Sequence, residues 1–146
     1  MASFLYDEFR KSLGGNPTHS VIDWQDDTTI STFFVDEADD TISQTADVDV
    51  ADRATLAQVP AYASAANLTG RSPVSVTSNI LVLTASNTTH STLSGDQVES
   101  LDIFKNSGSD TTSPLIGNFD DYTGIPLTPS GGDVTIVWAA TGIIRI

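Results

Sequence analysis

Cysteine is absent from this 146-residue chain, so no disulfide framework, thiolate metal site or cysteine nucleophile can be built from it. Cations are scarce. Six Lys and Arg stand against 19 Asp and Glu, a formal net charge of -13. A surface of that sign repels phosphate and argues against DNA or RNA as a direct partner. No apolar run approaches the length of a membrane span, and no secretory leader pattern precedes the first helical pattern, so no membrane partner is expected. What is present is the composition of a folded domain: 39% hydrophobic residues and only 17% charged ones. The length suits one domain, which buries roughly two-thirds of the surface of its unfolded chain. Ser and Thr, abundant from end to end, supply most of the neutral polar surface.

The N-terminus reads as one short helix, with residues 1–16 as a helix or arm. Ser3 is a candidate cap; Asp7 and Glu8 come early and Arg10 and Lys11 late, in the order the helix dipole favours. Asp7 and Lys11 are spaced as an i,i+4 pair, and Phe4, Leu5, Phe9 and Leu13 form an apolar face. Gly14 and Gly15 stop the helix, with Pro17 beyond. Such a helix either covers one end of a sheet or docks as an arm on a neighbouring subunit.

Residues 17–146 then read as a single β domain. Ile22 and Trp24 share a face, and Thr28 to Val35 is apolar on both faces, which predicts a central or covered strand. Asp36 to Asp52 carries seven acids and no cation, and reads as an exposed loop with a short helical turn near Asp52 to Leu56. Pro60-Ala61-Tyr62 reads as a connection and Arg71-Ser72-Pro73 as a turn. Val74 to Thr84 is the longest strand signal, with a bulge or bend near Asn79. Val98 to Lys105, Leu115 to Phe119, Val134 to Trp138 and Gly142 to Ile146 follow as strands, the last pinning the C-terminus in a sheet. Seven or eight short strands between turn signals predict an all-β fold, an antiparallel β-sandwich of jelly-roll or Ig-like type with a short N-terminal helix.

Motifs for chemistry are few. From Asp36, an EF-hand loop would put Ala38 at position three, lack Gly at position six and close on Asp47 rather than Glu, so it is excluded. A looser Ca²⁺ site from Asp47, Asp49 and Asp52 competes with the simpler reading of a solvated acidic loop. His19 and His90 lack local metal spacing, and neither a G-x-S-x-G elbow nor a Gly-rich phosphate loop is present. Paired carboxylates for glycoside chemistry need a walled cleft, and Asp23 beside Trp24 is the nearest approach to one. Trp24 and Trp138 have the parity of core aromatics. The sequons at Asn67 and Asn87 are chance matches in a Thr-rich chain. No catalysis, metal or cofactor is therefore expected.

The run Ser94-Gly95-Asp96-Gln97-Val98-Glu99-Ser100-Leu101-Asp102-Ile103-Phe104-Lys105-Asn106 resembles a recurring pattern of small tailed-bacteriophage virion proteins, an S-G-D-x-V-E-x-L strand ending in an aromatic-Lys pair. Thr112 to Ile116, Gly124 to Trp138, and the closing Gly142 to Ile146 are similar to the same family, as is the helix with Leu5-Tyr6-Asp7 and Phe9. The likeness is weakest over Asp36 to Asp52. It implies a virion structural protein, assembled in the host cytoplasm. With this charge, the outer surface of the head suits it better than the DNA-filled interior. A capsid decoration or cement protein is the expected role, binding the major capsid protein as a homo-oligomer, a trimer by analogy with the class. The contact surface is expected to include Phe4 and Phe9, with Asp36, Glu37, Asp39 and Asp40 facing a basic patch or solvent. A tail or baseplate adaptor is the structural alternative. A host-surface glycan-binding module, using Trp24, Tyr62 or Tyr122, is the alternative of a different class.

Overall fold

Strand propensity is densest at Ile30–Val35, and there the chain forms the strand around which the rest is laid. In the computed structural model, the described residues are 3–25, 30–53, 65–72 and 80–146, with 75–77 described for the backbone alone. The elements are β1 (Phe4–Leu5), α1 (Asp7–Leu13), β2 (Ile30–Val35), β3 (Ala66–Asn67), β4 (Ser75–Thr77), β5 (Ile80–Leu83), β6 (Thr88–His90), β7 (Ser100–Lys105), β8 (Leu115–Phe119), β9 (Val134–Ile136) and β10 (Ile144–Arg145). Short 3₁₀ turns lie at Val50–Asp52 and Asp110–Thr112.

A five-stranded sheet has the order β1-β8-β7-β2-β3; a three-stranded sheet has β10-β5-β4, and β6 pairs with β9. Every strand pair is antiparallel. All six residues of β2 are buried, because the five-stranded sheet is covered on both faces. On one face Ile30, Phe34, Leu101, Ile103 and Ile116 pack with Leu83, Ile136 and Ile144 from the smaller sheets, with Trp138 just beyond β9, and with Phe9 of α1. On the other, Phe33, Val35, Phe104 and Leu115 pack with Tyr6, Ile42 and Val50. The fold is thus all-β and sandwich-like with an N-terminal helix, as the strand pattern predicts. β8 runs over the expected Leu115–Phe119, Leu101 and Ile103 point inward, and Ile146 exchanges backbone hydrogen bonds with Leu81.

Several local expectations change. Ser3 does not cap α1. Tyr6 holds the N-cap position without a side-chain bond, while the Ser3 hydroxyl donates to Asp120 and Asp121. Phe4 and Leu5 pair with β8 instead of extending the helix. The helix ion pairs run i,i+3, Asp7 with Arg10 and Glu8 with Lys11, and Leu13 stays 50% exposed. Glu8 is buried because its Oε1 accepts the amides of Thr18 and His19, holding the following turn against the helix. The stretch Val74 to Thr84 is not one bulged strand. β4 and β5 pair with each other in the register Thr77↔Ile80, so the chain reverses between them. The bend expected at Asn79, the connection at residues 60–62, Pro73 and Tyr62 all lie outside the described residues.

Candidate functional site

Asp36 to Asp52 is not an exposed loop. It forms the cover over the second face of the five-stranded sheet, with Ile42 and Val50 inserted into that core and Asp36 and Asp47 buried. A segment poor in apolar residues can cover a sheet only if its buried polar groups are paired. The pairing centres on Arg53, itself buried. Its Nε donates to Asp102 Oδ2 at 2.9 Å, and its Nη2 donates to Asp47 Oδ2 at 2.8 Å and to the Tyr6 hydroxyl at 2.7 Å. Asp40 lies 3.6 Å from Nη1. The Tyr6 hydroxyl donates to Asp102 Oδ1 at 2.9 Å, and the Asn118 amide donates to the same oxygen at 3.0 Å and to Ser100 at 3.0 Å.

This cluster joins Tyr6 at the junction of β1 and α1, the acidic cover, β7 and β8. Burial pushes the Asp102 carboxyl above its ordinary range, against the opposing pull of Arg53, Asn118 and Tyr6. Burial and the Asp102 charge likewise raise the Tyr6 phenol, which stays protonated. The Arg53 guanidinium is held above its ordinary value: burial opposes its charge, but Asp102, Tyr6 and Asp47 outweigh burial. The hydrogen bonds of Arg53, Asp102, Tyr6 and Asn118 run between layers, so the cluster ties the cover to the sheet.

The remaining acids of the cover are engaged in local structure. Asp49 and Asp52 form a capping box around the turn at Val50–Asp52. Asp49 also reaches His19 at 3.2 Å. Asp47 accepts the Ser43 amide as well as Arg53. Asp47, Asp49 and Asp52 therefore face different donors, and no group of three metal-ligating side chains occurs among the described residues. His90 is buried against Phe34, with Nε2 at 2.9 Å from the Thr32 hydroxyl, whereas His19 pairs with Asp49.

The residues expected at a partner surface divide. Phe9 is buried in the main core, because the helix packs that face against the sheets. Phe4 is half-buried, edge-on to Tyr6, and lines a cleft of about 330 Å³ with Arg10, Phe119 and Arg145. Asp36 is buried and accepts the Ala38 amide; the Glu37 amide donates to Glu99. The Asp40 side chain turns inward to Arg53, leaving Asp39 as the exposed acid of the four. The sequence reading missed Tyr6, Arg53 and Asp102. Two signals were available: Arg53 is the sole cation between Lys11 and Arg71, amid most of the acids, and Asp102 shares strand parity with the apolar Phe104.

Both tryptophans are core residues, Trp24 donating to the Thr84 carbonyl and Trp138 to the Thr88 hydroxyl. Beside Trp138, an open groove of about 500 Å³ is lined by Asp121, Tyr122, Thr123, Thr135, Val137 and Ala139. The Tyr122 hydroxyl donates to the Val137 carbonyl, and its ring stands edge-on to Trp138 at 6.2 Å. Compared with known proteins, the chain matches no family model and no curated protein.

Proposed function

We propose that the protein is a structural component of a tailed-bacteriophage virion, a decoration or cement protein that binds the major capsid protein on the outer head surface as an oligomer and carries no catalytic activity. The observation that supports this most is where the virion-like residues fall. The stretch Ser94 to Ile146 supplies β7, β8, β9 and β10, and so contributes strands to all three sheets. The resemblance therefore rests on scaffold residues rather than on decoration of an unrelated core. The placement on the outer head rests on charge. A chain at -13 is repelled by packaged DNA, whereas the outer shell imposes no such cost. The acidic cover is where the resemblance is weakest, so it carries no part of this reading.

Quantitative mass spectrometry of separated heads and tails from the encoding phage tests this reading. The expected result is many copies per particle in the head fraction, and binding of the purified protein to expanded heads. Recovery in tails alone, at low copy, would replace it with a tail or baseplate role.

A further inference from the structure

The groove beside Tyr122 is built by two rules already seen in the fold. Ile136 and Trp138 point into the core, so Thr135, Val137 and Ala139 line the outward face of β9 and its extension. The turn at residues 121–123, which follows β8, stands beside that face. Tyr122 is anchored there by its hydrogen bond to Val137 and its edge contact with Trp138, so the ring is a fixed wall that needs little ordering on binding. Next to it Val137 is 62% exposed, an apolar side chain left in water. The volume of about 500 Å³ lies within the range of about 300–1,000 Å³ common to small-molecule sites.

The lining selects a ligand class. It offers one aromatic ring and one exposed aliphatic side chain as a C–H platform, with one carboxylate and two threonine hydroxyls around them. The Thr135 hydroxyl shares one hydrogen bond with Thr89 and keeps further capacity, since a hydroxyl both donates and accepts. Asp121 receives Ser3 at Oδ1. No cation lines the groove, so an anionic ligand would meet no counter-charge on a protein already at -13. A quaternary ammonium would use the ring and the carboxylate but leave both threonine hydroxyls idle. A pyranose uses all of them: its C–H face lies on an aromatic ring while its hydroxyls reach the carboxylate and threonines.

We propose that this groove is a binding site for a neutral saccharide, with Tyr122 as the platform and Asp121, Thr123 and Thr135 as hydrogen-bonding partners. The proposal does not depend on where in a particle the protein sits. Saturation-transfer NMR and tryptophan fluorescence on the full chain test it, with maltotriose, cellotriose and tri-N-acetylchitotriose as probes and choline chloride as the comparison. The expected result is transfer to at least one trisaccharide and a saturable change in fluorescence, because Trp138 touches the platform ring. Tyr122→Leu should abolish both signals. Thr123→Val, near-isosteric and exposed, should weaken binding about fivefold while leaving the fold intact, the loss of one hydrogen bond. If Tyr122→Leu does not fold, Thr123→Val carries the test. Absence of transfer to all three sugars, binding unchanged in Thr123→Val, or binding of choline in their place would overturn the proposal.

Discussion

Arg53 sits where three carboxylates converge, and the interior holds that charge because Asp47 and Asp102 accept its hydrogen bonds and Asp40 lies within ion-pair distance. Removing one member of such a cluster leaves the others buried and uncompensated, at a cost of about 3–5 kcal/mol. Arg53→Met is therefore expected to lower unfolding free energy by about that amount in urea titrations, while Tyr6→Phe, which removes one hydroxyl, costs about 1–2 kcal/mol. Asp102 adds a pH dependence with a definite sign. Its carboxyl is raised in the folded state, so the native protein holds that proton more tightly than the unfolded chain. Stability from this group is then greatest below the ordinary carboxylate range and falls as pH rises from there toward the raised value. Urea midpoints measured across that window should fall with pH in the wild type, and Asp102→Asn should remove that component of the slope.

Among the elements, β10 depends on a glycine. Gly142 has φ +109, and a Cβ there would stand 2.4 Å from Val82 Cγ1 and 3.3 Å from the Leu83 carbonyl, the group to which Ile143 donates. Gly131 has φ +84 but open space around it. Gly131→Ala thus bears only the backbone cost of about 1–2 kcal/mol. Gly142→Ala adds overpacking of about 1–3 kcal/mol and loosens β10 from β5. Differential scanning calorimetry should rank the two variants in that order, and hydrogen exchange should show Ile146 and Leu81 losing protection in Gly142→Ala alone. The helix illustrates a different dependence. Its seven residues have little intrinsic stability, and it is held by Phe9 in the core and by Glu8 on the amides of residues 18 and 19.

For the whole molecule, the imbalance of charge has two parts that respond differently to salt. Glu8, Asp36, Asp47 and Asp102 are buried and their interactions are little screened, whereas Asp23, Asp39, Asp52, Asp96, Asp121 and Asp133 are exposed to solvent and add to the mutual repulsion of the surface. Raising salt from about 10 mM to 150 mM shortens the screening length from about 30 Å to 8 Å. The expected outcome is a rise in the urea midpoint with NaCl in both wild type and Arg53→Met, with the gap between them preserved. A gap that closes with salt would mean that the Arg53 cluster is solvated.

The alternation of apolar residues determined much of this protein without reference to its folded form. It located β7 and β9 and the inward set Leu101, Ile103, Ile136 and Trp138, because a period of two is a local property of the backbone, while β-branched and aromatic density marked the covered strand at Ile30–Val35. The helix and its Gly14 stop were legible from equally local signals, the order of its charges and the paired glycines. Partners were not. Whether Asp36 to Asp52 faces water or roofs a sheet depends on where Arg53 and Asp102 lie, and Asp102 is 49 residues from Arg53 along the chain. The acidic run reads as solvated by composition, since burying a charge without a partner is prohibitive. Only the tertiary structure supplies the partners, by stacking β7 beneath the cover. The groove at Tyr122 was equally hidden, because it exists only where the turn after β8 meets the outward face of β9. Long-range placement, not local propensity, decided which acids are structure and which are surface.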